Sequence, residues 1–144
     1  VNRPTAVSAE LELQLVVPGS TSLPVRSVMH YDATDPYAVH VDFQTGDSSS
    51  EVVPWTFARS LLADGVAAPV GEGDVRVWPA ETDGAPVICL SLTSPSGRAQ
   101  FEIPLLLLAD FLSQTFQVVP AGAEGDHVDV ERELTLLLWA EPGA

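Results

Sequence analysis

Tyr31-Asp32-Ala33-Thr34-Asp35-Pro36-Tyr37-Ala38-Val39-His40-Val41-Asp42-Phe43 and, after a polar stretch, Trp55-Thr56-Phe57-Ala58-Arg59-Ser60-Leu61-Leu62-Ala63-Asp64-Gly65 decide how this chain folds. The first segment predicts a β-hairpin that turns at residues 32–36. Asp and Thr side chains bond nearby backbone there, and Pro36 fixes one φ. With Tyr31 set opposite Tyr37, the side chains of Met29, Tyr31, Tyr37, Val39, Val41 and Phe43 share one face. Val28, His30, Ala38, His40 and Asp42 share the other. One apolar and one mostly polar face is the pattern of a half-buried antiparallel sheet. The second segment predicts a short helix over residues 56–64, capped by Thr56, with Phe57 and Leu61 on one side and Gly65 as a left-handed stop.

On the N-terminal side, residues 1–7 read as a lead-in. Residues 8–17 alternate Leu11, Leu13, Leu15 and Val17 with Glu10, Glu12 and Gln14, which predicts a strand. Strands are also expected over 23–31, entered through Pro24, over 37–45, and over 51–55, where Pro54 marks an edge or a bulge. On the C-terminal side, residues 66–73 read as a linker. Strands follow over 74–79, 86–93 and 98–103, with Asp83-Gly84 and Ser94-Pro95-Ser96-Gly97 as their turns. A helix opens at Pro104, carries Leu105 to Leu108, Phe111, Leu112 and Phe116, and stops at Pro120. A last helix is expected beyond residues 126–129. Val130, Leu134, Leu137 and Leu138 form its apolar stripe, and Leu136 and Trp139 lie off it. Two helices with more apolar cover than one face requires point to burial against another subunit. The expected architecture is α+β, with residues 1–144 as one domain. It has antiparallel sheets of about seven strands in two sub-halves, with helices on one side.

Apolar residues make up 46% of the 144, enough to build a core. No apolar run is long enough to span a membrane, and the N-terminus lacks the pattern of a secretion signal, so a cytoplasmic location is expected. Acidic residues number 20 against 6 basic ones, for a net charge of −14, and there is no Lys. A polyanion is bound through Lys and Arg contacts that release its counterions, so this balance opposes nucleic-acid and anionic-membrane partners. The single Cys89 sits in an apolar run and reads as a small core residue.

Chemistry-bearing patterns are sparse. His30, His40 and Asp42 share the hairpin's polar face, the two His as diagonal neighbours, but three or four converging ligands are needed for a metal, and none is expected. His127 between Asp126 and Asp129 reads as a helix-start loop. Gly71-Glu72-Gly73 leads into a strand, whereas a phosphate cradle leads into a helix. Ser91, Ser94 and Ser96 lack the strand–turn–helix setting of a nucleophile. No catalytic or cofactor-binding residue is assigned. Trp55, Trp78 and Trp139 read as packing residues or as recognition anchors. Arg76 is placed to stack on Trp78, and Arg59 and Arg76 to pair with Asp64, Glu72 or Asp74.

Several blocks taken together resemble one family. They are Tyr31-Asp32, Asp35-Pro36-Tyr37-Ala38-Val39, Trp55-Thr56-Phe57-Ala58-Arg59 with Leu61-Leu62 and Gly65, and Gly73-Asp74-Val75-Arg76-Val77-Trp78-Pro79. Phe111-Leu112, Thr115 and Val119-Pro120 follow in the same order. The chain resembles the SsgA-like sporulation and cell division proteins of actinobacteria. Val75 to Pro79, with Val87-Ile88-Cys89-Leu90 and Ser94-Pro95, is most similar to the SsgB branch. The resemblance implies a whirly-like fold assembled as a homotrimer. It also implies a non-enzymatic role at division septum sites in sporulation, recruiting the tubulin-like protein FtsZ with help from an SsgA-type paralogue. Within the shared blocks, Asp35 and the aromatic and rare Arg positions Tyr37, Trp55, Arg59, Arg76 and Trp78 are the expected protein-binding residues. Leu106, Leu107, Leu136 and Trp139 are the expected oligomer contacts. The rival reading, a nucleic-acid-binding module on the same fold, is opposed by the charge. A small-molecule or hydrolytic domain would need a deep polar pocket.

Overall fold

A computed structural model describes residues 5–19, 21–44 and 51–127. Four antiparallel strands come first: β1 (Ala6–Leu15), β2 (Leu23–Asp32), β3 (Ala38–Gln44) and β4 (Val52–Ala58). Helix α1 (Arg59–Ala67) leads to β5 (Val70–Glu72), β6 (Val75–Thr82), β7 (Ala85–Ser94) and β8 (Gly97–Pro104). Helix α2 (Leu105–Val118) and a 3-10 turn (Glu124–His127) complete the described part. The strands form one sheet in the order β4-β3-β2-β1-β8-β7-β6-β5. The strands of the two halves pair where Gln14 and Leu15 meet Glu102 and Phe101, and the Val16 N–H adds a bond to the Gln100 carbonyl at 2.8 Å.

The sheet thus has eight strands rather than about seven, and the extra one is β5. It was read as linker because Pro69, Gly71 and Gly73 dominate its composition, yet three residues pair with β6. The last predicted helix, with Leu136 and Trp139, lies outside the described residues. The expected left-handed Asp83-Gly84 turn is present, with φ of 52° and 80°, as a two-residue hairpin requires.

The sheet is strongly curled. In the order β3-β2-β1-β8, β3 and β8 are three strand spacings apart, about 14 Å on a flat sheet. Phe43 and Phe101, one on each, stack with ring centroids 4.7 Å apart. Curling wraps the inner face around Leu11, Leu13, Met29, Val41, Leu90 and Ile103. Leu61 and Leu62 of α1 and Leu108, Phe111 and Leu112 of α2 fill it from the open side. Strand β7 is buried on both faces from Val87 to Leu92, so it reads as a near-continuous apolar run instead of alternating.

The hairpin register differs from expectation by two residues. Met29 pairs with Val41 and His30 with His40, which keeps the predicted faces but moves Tyr37 out of the strand and off the core. Tyr31 is buried instead, and its hydroxyl donates to the Pro36 carbonyl at 2.8 Å. Burial pushes its phenol above the ordinary value. Pairing with β3 carries β4 through Thr56 and Phe57 to Ala58, so α1 starts three residues later than predicted. Thr56 does not cap it. The Arg59 N–H is satisfied by the Tyr37 carbonyl at 2.8 Å.

Gly65 is not a stop signal either; it lies inside α1, which runs on to Ala67. A Cβ built there would stand 2.2 Å from Val77 Cγ1 and 2.6 Å from Val77 Cβ. The residue is glycine because β6 runs hard against this turn of the helix.

Candidate protein-binding surface

The six residues expected to bind a partner separate into four places. Arg59 is the first residue of α1, and the curl of the sheet drives it inward to 1% exposure. Its Nη1 donates to the carbonyls of Thr115 at 3.1 Å and Val119 at 2.7 Å, the last turn of α2. Its Nη2 reaches the Glu124 carboxylate at 2.9 Å. The guanidinium also lies 4.2 Å from the Phe116 ring centroid and 4.9 Å from that of Tyr31. A cation at a helix C-terminus meets the negative end of the dipole and the orphan carbonyls together. Arg59 therefore ties β4, α1, α2 and the 3-10 turn into one unit and offers no donor to a partner. Its ion-pair partner is Glu124, not Asp64, Asp74 or Glu72. The own N–H of Glu124, and then the Arg59 guanidinium, hold that carboxyl below the usual carboxylate range.

Asp35 and Tyr37 stay at the surface, in the β2–β3 turn. Tyr37 is 57% exposed. Asp35 Oδ2 lies 3.0 Å from His40 Nε2. Asp32 holds the turn, accepting from the Thr34 N–H and hydroxyl, which lower its pKa in that order. The two His are not diagonal but directly opposed, in a row running Ser8, His30, His40, Thr56 across β1 to β4. Hydroxyls occupy both ends, Ser8 Oγ 2.7 Å from His30 Nδ1 and Thr56 Oγ1 3.1 Å from His40 Nδ1. Among the described residues no three ligating side chains converge on a metal position.

Trp55, half-buried on β4, stacks on Phe57 with ring planes 10° apart. It walls a mainly apolar cleft of about 330 Å³ with Leu15, Phe43, Val53, Leu92 and Phe101, and Ser94, Ser96 and Arg98 also border it.

Arg76 and Trp78 project from the outer face of β6, opposite Ser91 and Cys89 of β7. Arg76 is exposed and Trp78 half-buried. The two do not stack: both ring–guanidinium contacts among the described residues belong to Arg59. Burial pushes the Cys89 thiol above its ordinary value, which suits a packing role. The same face holds Arg98, which the sequence reading left unassigned. Its Nε donates to Ser91 Oγ at 3.1 Å. The signal for it was the β7–β8 turn, which sets Ser94 opposite Gly97 and so Thr93 opposite Arg98.

Of the expected oligomer contacts, Leu106 and Leu107 lie on the outer side of α2, 77% and 45% exposed. Leu105 is half-buried, and Leu108 faces the core. Four consecutive leucines cannot all face one direction at 3.6 residues per turn, and the middle two face out.

Residues 25–124 match the family described as Streptomyces sporulation and cell division protein, SsgA. The sporulation-specific cell division protein SsgB of Frankia casuarinae is 50% identical over 140 residues, 97% of this chain and 96% of that one. SsgB of Streptomyces coelicolor is 49% identical over 93% of this chain and 96% of that one. A solved structure of an SsgA-like sporulation-specific cell division protein from Thermobifida fusca superposes with a TM-score of 0.82. It is 39% identical, over 91% of this chain and 94% of that one.

Proposed function

This chain belongs to the SsgA family of sporulation and cell division proteins, and from that premise we propose that it is a non-enzymatic recruitment protein for sporulation-specific septation. Its relatives are named for cell division in sporulation, and mutations in one of them, SsgB of Streptomyces coelicolor, correlate with longitudinal cell division. The finer reading is that several copies assemble, with a trimer favoured, at septum sites, and there gather the tubulin-like division protein FtsZ with an SsgA-type paralogue.

One observation carries this reading: the exposed Leu106–Leu107 surface on α2. An exposed leucine pair on a helix whose other side packs the core gives one subunit an apolar patch for another protein. Several copies held on one particle raise the local concentration of a polymerising partner without any new contact. Asp35, Tyr37, Trp55, Arg76 and Trp78 remain the proposed contacts with division proteins. Arg59 drops out of that set.

Light scattering of the purified full chain reads assembly, and co-sedimentation with FtsZ filaments reads recruitment. The expected result is a mass above one subunit and co-sedimentation, both reduced in the Leu106→Ser/Leu107→Ser variant. A monomer that stays in the supernatant would defeat the proposal.

A further inference from the structure

The outer face of β6–β8 holds two cations, Arg76 and Arg98, that form no ion pair among the described residues; Glu102 shares the face and accepts from the Thr82 hydroxyl at 2.6 Å. Arg76 stands directly across from Ser91. Arg98 starts one strand further on, two positions from the residue opposite Ser91, but its hydrogen bond to the Ser91 hydroxyl draws the guanidinium back over β7. Neighbouring strands lie about 4.8 Å apart, so with β7 between them the two arginines start about 10 Å apart across the sheet, the Arg76 stem beside Gly71 of β5 and the Arg98 guanidinium on the buried Ser91.

The four arginines among the described residues divide into two kinds. Arg26 pairs with Glu10 at 3.1 Å and Arg59 with Glu124 at 2.9 Å. Among the described residues neither Arg76 nor Arg98 is in an ion pair. Two clefts meet at this pair. One, of about 520 Å³, is walled by Pro69, Val70, Gly71 and Trp78 together with both arginines. The other, of about 390 Å³, is walled by Asp74, Ser91 and Thr93 with the same two. Among the described residues Asp74 is the acidic residue bordering these clefts.

We propose that this face binds an extended acidic segment of a partner protein. Its carboxylates sit on Arg76 and Arg98, and an apolar side chain packs against Trp78. Arginine's planar fork matches a carboxylate with two parallel hydrogen bonds. A nucleic acid needs many such contacts, and two cations on a body of net charge −14 do not supply them. A second folded copy brings its own negative body close. A thin segment touches only this face, beyond the reach of most other charges at a screening length of about 8 Å. The inference goes beyond the recruitment reading and does not need the filament protein as its occupant.

The test is fluorescence anisotropy of the full chain with a labelled glutamate-rich peptide containing one Phe, beside a twin with Gln for every Glu. The acidic peptide is expected to bind about tenfold tighter than its twin, and Arg76→Gln or Arg98→Gln to cost about tenfold. Binding should weaken as salt rises from about 50 to about 200 mM. Arg26→Gln, which removes a cation already paired elsewhere, should leave it unchanged. Melting curves that match the parent's show that the variants fold. Equal affinity for the twin peptides, or full binding by the Arg76→Gln/Arg98→Gln double variant, overturns the proposal. So does equal binding of a labelled oligonucleotide, or self-association that these substitutions abolish while the peptide fails to bind.

Discussion

Arg59 and the Arg76–Arg98 pair begin alike in sequence, as rare cations near aromatic residues in an acidic chain, and end in opposite states. The Arg59 guanidinium is enclosed between Tyr31 and Phe116 and spent on two carbonyls and a carboxylate. Arg76 and Arg98 stay at the surface, Arg98 on the Ser91 hydroxyl, and neither makes an ion pair among the described residues. The difference lies in what surrounds each one. Where the fold supplies acceptors in three dimensions, an arginine becomes a structural tie. Where it supplies at most one neutral hydroxyl, as at Arg98, the cation stays exposed.

The comparison breaks most directly at Arg59. Arg59→Met keeps much of the bulk but strips three acceptors of their donor and leaves Glu124 without its cation. Removing one partner of a buried pair costs about 3–5 kcal/mol, and urea unfolding should read a loss of that size. A loss under about 1 kcal/mol would mean that Arg59 is no tie. Next in size is Gly65→Ala. Alanine is the better helix former by about 1 kcal/mol, but its methyl would overlap Val77. Overpacking of about 1–3 kcal/mol should win, and Val77→Ala should recover part of it as a coupling in a double-mutant cycle.

A third effect is set by pH. Glu124 has a lowered pKa in the folded chain, so its contribution is fully present above its ordinary value of 4.5. That contribution is lost as pH falls through the lower folded value. Stability measured on the acid side of 4.5 should therefore fall less steeply in Glu124→Gln than in the parent. An identical slope would separate Glu124 from the Arg59 tie. The smallest effect belongs to the open face. Arg76→Gln should move stability by less than about 0.5 kcal/mol, because the exposed guanidinium makes no ion pair among the described residues. A large loss would show that Arg76 is a hidden counterpart of Arg59.

Much of the fold was legible. Alternation gave β1, β2, β3 and β8 to within two residues, and turn stereochemistry gave the Asp83-Gly84 and Ser94–Gly97 connections. The start of α1 was misplaced because Trp55-Thr56-Phe57-Ala58 suits either state, and pairing with β3 chose strand. Strand β5 was missed because its three residues gain order only from β6. Of the candidate surface, the outward leucines of α2 and the exposed Arg76 were readable. The burial of Arg59 was not, and Arg98 gained its meaning only through Ser91.

The sequence alone determined which side chains share a face, where the chain turns, how acidic it is and which family it resembles. Those features depend on neighbours a few positions away, through backbone stereochemistry and period-2 alternation. Tertiary structure alone decided the fate of each arginine and the reason for Gly65. The acceptors of Arg59 lie 56, 60 and 65 positions along the chain, and the atom that excludes a methyl at residue 65 belongs to β6. Contacts at that separation arise only once the sheet has curled and the helices have closed over it.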